Sequence, residues 1–197
     1  MTAWGKDDMR RVLAGIAFMA ASWLAGCLPE SEHPIAPADP ARNEPRLWGA
    51  WMSTAEDGYM IAHVFATEAG TLQFALAEHG VEGLGEIERY DGHVTHLPSG
   101  DYLNVVVGEP EAGYLIARYQ FDGTGRLSVW FAGNSALEQA VKAGKLAGTT
   151  KMEGGMTDVR ITATSEQWQA FLAKPPADLF DAPVSFERIG PAYVEQQ

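Results

Sequence analysis

The sequence predicts a mainly β fold, an antiparallel meander closing into a barrel or a strongly curved sheet, with two short amphipathic helices near the C-terminus. Three observations carry this. From Leu47 to Phe131 the chain passes through short segments that alternate apolar and polar residues, the period of a strand. Tight turn signals separate the segments and leave no room for crossover helices, so neighbours in sequence pair antiparallel. After Asn134 the apolar residues recur at helical spacing instead, and they do so twice. A meander this long has exposed edges unless it closes. A barrel of about eight strands, with the helices on an open end or outer face, is the simplest arrangement.

Folded sequence begins at Leu47-Trp48-Gly49-Ala50-Trp51. Tyr59 to Phe65 follows Asp57-Gly58 and sets Tyr59, Ile61, His63 and Phe65 against Met60, Ala62 and Val64. Both sets are largely apolar, so both faces of this strand are expected to be covered. Thr71 to Ala77 places Leu72, Phe74 and Leu76 on one face. Gly85 to Tyr90 and His93 to Leu97 flank Asp91-Gly92, a two-residue hairpin signal because both positions tolerate positive φ. Pro98-Ser99-Gly100 makes the next turn, into Tyr102 to Val107. In Tyr114 to Phe121 the inward set is Leu115, Ala117, Tyr119 and Phe121, with Arg118 and Gln120 outward. Asp122-Gly123-Thr124-Gly125 returns the chain into Arg126 to Phe131, where Leu127, Val129 and Phe131 share a face and Trp130 lies opposite.

The period then changes. Ser135 with Glu138 three residues later reads as a capping box. Leu137, Ala140, Val141 and Leu146 form the apolar face of the first helix, and Gly148 closes it. Gly144 is expected to weaken its middle by about 1 kcal/mol relative to alanine. Gly154-Gly155 leads into a strand from Asp158 to Ala163. The second helix starts at Ser165, carries Trp168, Phe171 and Leu172 on one face, and ends before Pro175-Pro176. Leu179 and Phe180 tuck back, and Val184 to Ile189 adds a closing strand.

Apolar residues make up 46% of the chain and charged residues 20%, which suits one ordinary globular domain. The net charge of −12 argues against a nucleic-acid partner and against electrostatic docking on anionic lipid. The single cysteine, Cys27, excludes an internal disulfide, so stability must come from a packed core.

Position 27 has its own context. Arg10 and Arg11 precede the apolar run Val12 to Gly26, which ends in small residues: the layout of a secretory signal, too short for a membrane span of roughly 20 apolar residues. Met9, directly before the arginines, is an alternative start to Met1. Leu24-Ala25-Gly26-Cys27 resembles the lipobox of bacterial lipoproteins. That resemblance implies cleavage after Gly26, acylation of Cys27 and anchoring by lipid, and Leu28 at the next position implies the outer membrane, facing the periplasm. Cleavage would remove three basic and two acidic residues, moving the net charge from −12 to −13. The chain then divides into a signal peptide over 1–26, a lipidated cysteine and Pro-rich tether over 27–46, one β-rich domain over 47–190 and a tail over 191–197. The five prolines of residues 28–46 predict an extended spacer. Gly49-Ala50-Trp51 resembles the G-x-W of lipocalins and related calycin barrels, which implies a tryptophan packed across the barrel floor.

No constellation in the sequence specifies a reaction. His93 and His96 are three apart and on a strand face opposite ways, so they do not form a metal pair. His79 falls in a Glu78-His79-Gly80 turn. Glu86 and Glu88 share a face that reads as a solvated edge, and Glu109-Pro110-Glu111 lacks the spacing of a calcium loop. There is no G-x-S-x-G elbow. Neither a metal nor a cofactor is expected. The aromatics come from several strands, and Trp51, Tyr59, His63, Tyr114 and Trp130 are the candidates to line a ligand pocket. The expected function is non-enzymatic: a lipid-anchored envelope protein whose barrel binds an apolar small molecule. The alternative is an envelope interaction module with a filled core and an outer aromatic patch.

Overall fold

The computed structural model describes residues 28–55, 58–67, 70–81, 83–107, 113–153 and 156–190. The expectations for Leu24, Ala25, Gly26 and Cys27, for the start at Met1 or Met9, for Glu109-Pro110-Glu111 and for the tail lie outside these residues.

Eight strands close into an antiparallel barrel. They are β2 (Gly49–Ala55), β3 (Gly58–Ala66), β4 (Leu72–Gly80), β5 (Gly83–Leu97), β6 (Gly100–Val107), β7 (Gly113–Phe121), β8 (Leu127–Phe131) and β11 (Val184–Arg188). Each pairs with the next in sequence up to β8, and β11 joins β8 to β2 to complete the circle. β1 (Glu30–Ser31), β9 (Gly148–Glu153) and β10 (Met156–Ile161) form a short flap beside the wall. There β1 runs parallel to β10 and meets β7 at Tyr114.

Alternation along the strands sets two cores, one on each side of the wall. Inside lie Trp51, Ala62, Val64, Leu72, Val94, Leu103, Ala117, Tyr119, Leu127, Val129 and Phe186. Outside, the alternate residues Tyr102 on β6 and Ile116 on β7 pack against a second layer. That layer consists of α1 (Asn134–Lys142), α2 (Ser165–Leu172) and the β9–β10 hairpin, with Leu137, Val159, Trp168 and Leu179 at its centre.

Three local readings are corrected. Asp91-Gly92 is not a turn: β5 runs unbroken from Gly83 to Leu97. Gly92 is needed there because a Cβ would stand 2.6 Å from the Asn104 carbonyl oxygen and 3.0 Å from the Phe74 ring. The first helix has no capping box. Its N-cap is Gly133, and Glu138 instead accepts from Lys142 at 2.5 Å. Gly144 does not weaken that helix but ends it, with φ at +67° and the paired closing bonds Gly144 N–H to Val141 and Lys145 N–H to Ala140. The second helix does carry a capping box, between Thr164 and Gln167.

Residues 28–46 are largely irregular, with a single 3-10 turn at Pro40–Arg42 and another starting at Pro45, and they do not run free. They form a strap bound across the wall and the second layer. Trp168 Nε1–H donates to Ser31 Oγ at 2.7 Å, Ser165 Oγ–H to the Pro34 carbonyl at 2.8 Å, and Gln169 Nε2–H to the Ile35 carbonyl at 2.9 Å. On the barrel side Ile35 N–H donates to Asn104 Oδ1 at 2.7 Å, and the His93 ring bonds the Ala36 carbonyl at 2.7 Å. Ile35 and Ser31 are buried. Apolar Ile35 and the wall's polar groups fix the chain in place.

Candidate functional site: the half-open barrel

The two ends of the barrel differ. At the floor the strap ends in a single turn, Pro45–Leu47, and plugs the opening. Trp51 lies fully buried across it, with Nε1–H donating to the Leu47 carbonyl at 2.7 Å. The Arg188 guanidinium sits 4.2 Å from the Trp51 ring centre and donates to the Trp48 and Arg46 carbonyls. Polar groups finish the plug. Arg46 grips Glu44 through two bonds of 2.9 and 2.7 Å, which holds the Glu44 carboxyl below its ordinary range. His96 and Asp101 meet at 2.7 Å. Tyr119 is buried beside them, and desolvation pushes its phenol up.

The mouth is different. Register places Met60, Phe74, Leu76, Val105, Phe131 and Val184 on the inward face of the upper half. All pack on the interior core and all remain half-buried, so part of their apolar surface stays open at the mouth. Two carboxylates share this lining. Glu78 stands opposite Met60 and Glu88 opposite Leu76. Burial raises the Glu78 carboxyl above its ordinary range, with the Glu88 charge adding to the effect. Tyr90 Oη–H donates to Glu88 Oε2 at 2.7 Å, and burial together with that bond pushes the phenol up to about 12.

Of the five aromatic candidates only Trp51 points inward, and it forms the floor. The other four stand on the outer wall. Tyr59 stacks on His79 at 4.8 Å, which places His79 within β4 rather than in a turn. His63 is exposed beside Phe65. Tyr114 meets His93 edge-on at 6.2 Å, and Trp130 faces Arg118 at 5.9 Å. The reason is parity: each neighbours an inward residue and must point the other way. Glu78 continues the Leu72, Phe74, Leu76 series, and Glu88 and Tyr90 share the parity of Val94; Glu86 and Glu88 are exposed, as a solvated strand edge is, and the signal that adds Glu78 and Tyr90 to the mouth is parity alone.

The wall itself is split. β11 pairs with β2 only at Glu187–Met52 and Arg188–Trp51. Above that point β11 stays with β8, through Val184, Ser185 and Phe186, and the expected partners Ser185 and Thr54 do not pair. A cleft of about 450 Å³ opens there, lined by Met52, Ser53, Thr54, Val184, Ser185 and Glu187 among others. Arg126 and Glu187 meet at 2.6 Å at its lip.

Among the described residues no cluster of three histidine, cysteine or acidic side chains could hold a metal ion, and no helix is long and apolar enough to cross a membrane. No protein-family model, curated protein or solved structure matches this chain.

Proposed function

We propose that this is a lipid-anchored envelope protein, attached through Cys27 and held at the outer membrane on its periplasmic side, whose barrel binds an apolar small molecule without transforming it. One observation carries the binding reading: the floor is plugged while the upper interior leaves a ring of apolar side chains half-exposed. An eight-stranded barrel is wide enough to hold one small ligand. The separation of the candidate catalytic groups supports binding rather than catalysis, since His63 is on the outer wall and the paired carboxylates are in the mouth. Those carboxylates also select. A third anion placed beside the half-buried Glu78 and the exposed Glu88 would be repelled, so a neutral or cationic ligand is favoured over a fatty acid. The G-x-W resemblance to calycin barrels fits this reading, since Trp51 occupies the floor position it implies.

The test is titration of the purified protein with a neutral fluorescent naphthylamine and its carboxylate analogue. The neutral probe is expected to bind at least tenfold tighter, and Glu78→Gln with Glu88→Gln to narrow the gap. Equal weak binding of both, with no ligand mass carried in native mass spectrometry, would reject the binding reading. Incorporation of labelled palmitate that disappears in Cys27→Ala tests the anchor separately.

A second reading is favoured by one feature of the outer wall. Met52, Ile61, Ala77 and Ile87 stand in one cross-strand row over β2 to β5, beside Leu84, and Leu84 and Ile87 are 65% and 53% exposed. That row is the face an envelope partner protein would cover.

A further inference from the structure

The split between β2 and β11 has the features of a passage rather than of a surface groove. Its lining comes from both sides of the wall. Ser53 and Val184 have inward parity, and Val184 packs on the interior core; Met52, Thr54, Ser185 and Glu187 have outward parity. Residues of both parities therefore border the cleft, as they would a gap through the wall. The cleft's volume of about 450 Å³ is in the range of small-molecule sites, roughly 300–1,000 Å³.

The split is also built into the sequence. Glu187 and Met52 are opposed, and Ile189 N–H donates to the Ala50 carbonyl, so the ladder is in register at its lower end. Continued upward by two residues it would set Ser185 against Thr54. There Val184 to Phe186 keep their pairing with Val129 to Leu127 on β8 while the edge toward β2 is left open. Pro183, which lacks an N–H, stands directly before β11, and the Arg126–Glu187 ion pair ties β11 to the start of β8. These contacts hold the strand away from β2. Hydroxyls at Ser53, Thr54 and Ser185 border the gap, so water can solvate the open edges.

We propose that this cleft is a lateral portal through which the barrel's apolar ligand enters and leaves. The proposal rests on the binding reading above and adds the route. A portal sets rates and leaves equilibrium alone, because the same passage serves entry and exit. With the cleft and not the mouth as the route, closing it slows association and dissociation by one common factor; exchange through the mouth would leave both rates unchanged.

The test uses the full-length protein with Thr54→Cys and Ser185→Cys, oxidised with diamide to a disulfide and re-reduced; Thr54→Cys alone controls for Cys27. Stopped-flow mixing with the neutral naphthylamine probe is expected to give both rates reduced at least tenfold in the oxidised form, with an unchanged Kd, and recovery on reduction. Ser53→Trp, which fills the passage without needing a crosslink, is expected to slow both rates as well. Rates insensitive to both changes would overturn the portal while leaving binding intact. So would a weakened Kd at an unchanged association rate, since the cleft would then be part of the ligand's seat. Absence of probe uptake by the unmodified protein would reject the binding reading, and the portal with it.

Discussion

Replacing Asn104 separates what holds the strap from what holds the barrel. Asn104 is completely buried on the outer side of β6 and spends its amide in three directions. Oδ1 accepts from Ile35 N–H of the strap at 2.7 Å, and Nδ2–H donates to the His93 carbonyl at 3.3 Å and to Thr95 Oγ1 at 3.0 Å. Each bond contributes about 1 kcal/mol net, and a buried amide left without a partner costs about 1–3 kcal/mol. Asn104→Ala is thus expected to destabilise the protein by about 3–5 kcal/mol in urea unfolding. Local opening of the strap should become easier by about 2 kcal/mol, the share belonging to Ile35. At about 1.4 kcal/mol per factor of ten, that is roughly a 30-fold faster hydrogen exchange at the Ile35 amide. Thr95→Val is the control: it removes a bond on the barrel side only, costs about 1 kcal/mol and leaves strap exchange unchanged. If Asn104→Ala lowers global stability while Ile35 exchanges at its original rate, the strap is not held by this residue.

Three other outcomes are expected. Trp51→Ala should cost about 3–5 kcal/mol in urea unfolding, and Trp51→Phe only about 1–2 kcal/mol, since the latter keeps most of the ring and loses the bond to Leu47. Burial depresses the His93 imidazole below its ordinary range, opposed in part by the bond to Ala36. A depressed folded value makes its contribution present above the unfolded pKa and lost as pH falls through the folded one. The urea midpoint should therefore fall on acidification from pH 7, and fall less in His93→Gln. Gly92→Ala should cost about 1–3 kcal/mol, because its Cβ would press on the Asn104 carbonyl and the Phe74 ring; a neutral result would mean the sheet there is looser than its register.

The barrel could be read because strand parity is a local property. The inward sets of β7 and β8, and the closing role of Val184 to Arg188, need only the alternation of each segment and the cost of an open edge. Glycine defeats the same method. Asp91-Gly92 has the composition of a turn, yet Gly92 is there for its missing Cβ, and the atoms that require this, on Phe74 and Asn104, come from other strands. Gly144, by contrast, has the positive φ that Gly92 lacks. The pocket aromatics are misplaced for a different cause: aromatic character carries no direction, and the parity of Tyr59, Tyr114 and Trp130 sets them on the outer wall. The carboxylates of the mouth were legible by parity but masked by composition. Nothing local announces the split between β2 and β11, because it depends on how far two strands remote in sequence stay paired.

The strap decides how far the protein can reach. Free, the nineteen residues 28–46 could carry the body roughly 60 Å from an anchor at Cys27. With Glu30 and Ser31 already fixed beside β7 and β10, only about 10 Å of chain separates Cys27 from the fold. An acylated Cys27 would then hold the barrel against the bilayer like a moored float, and a partner on the far side of the periplasm would have to cross that space itself.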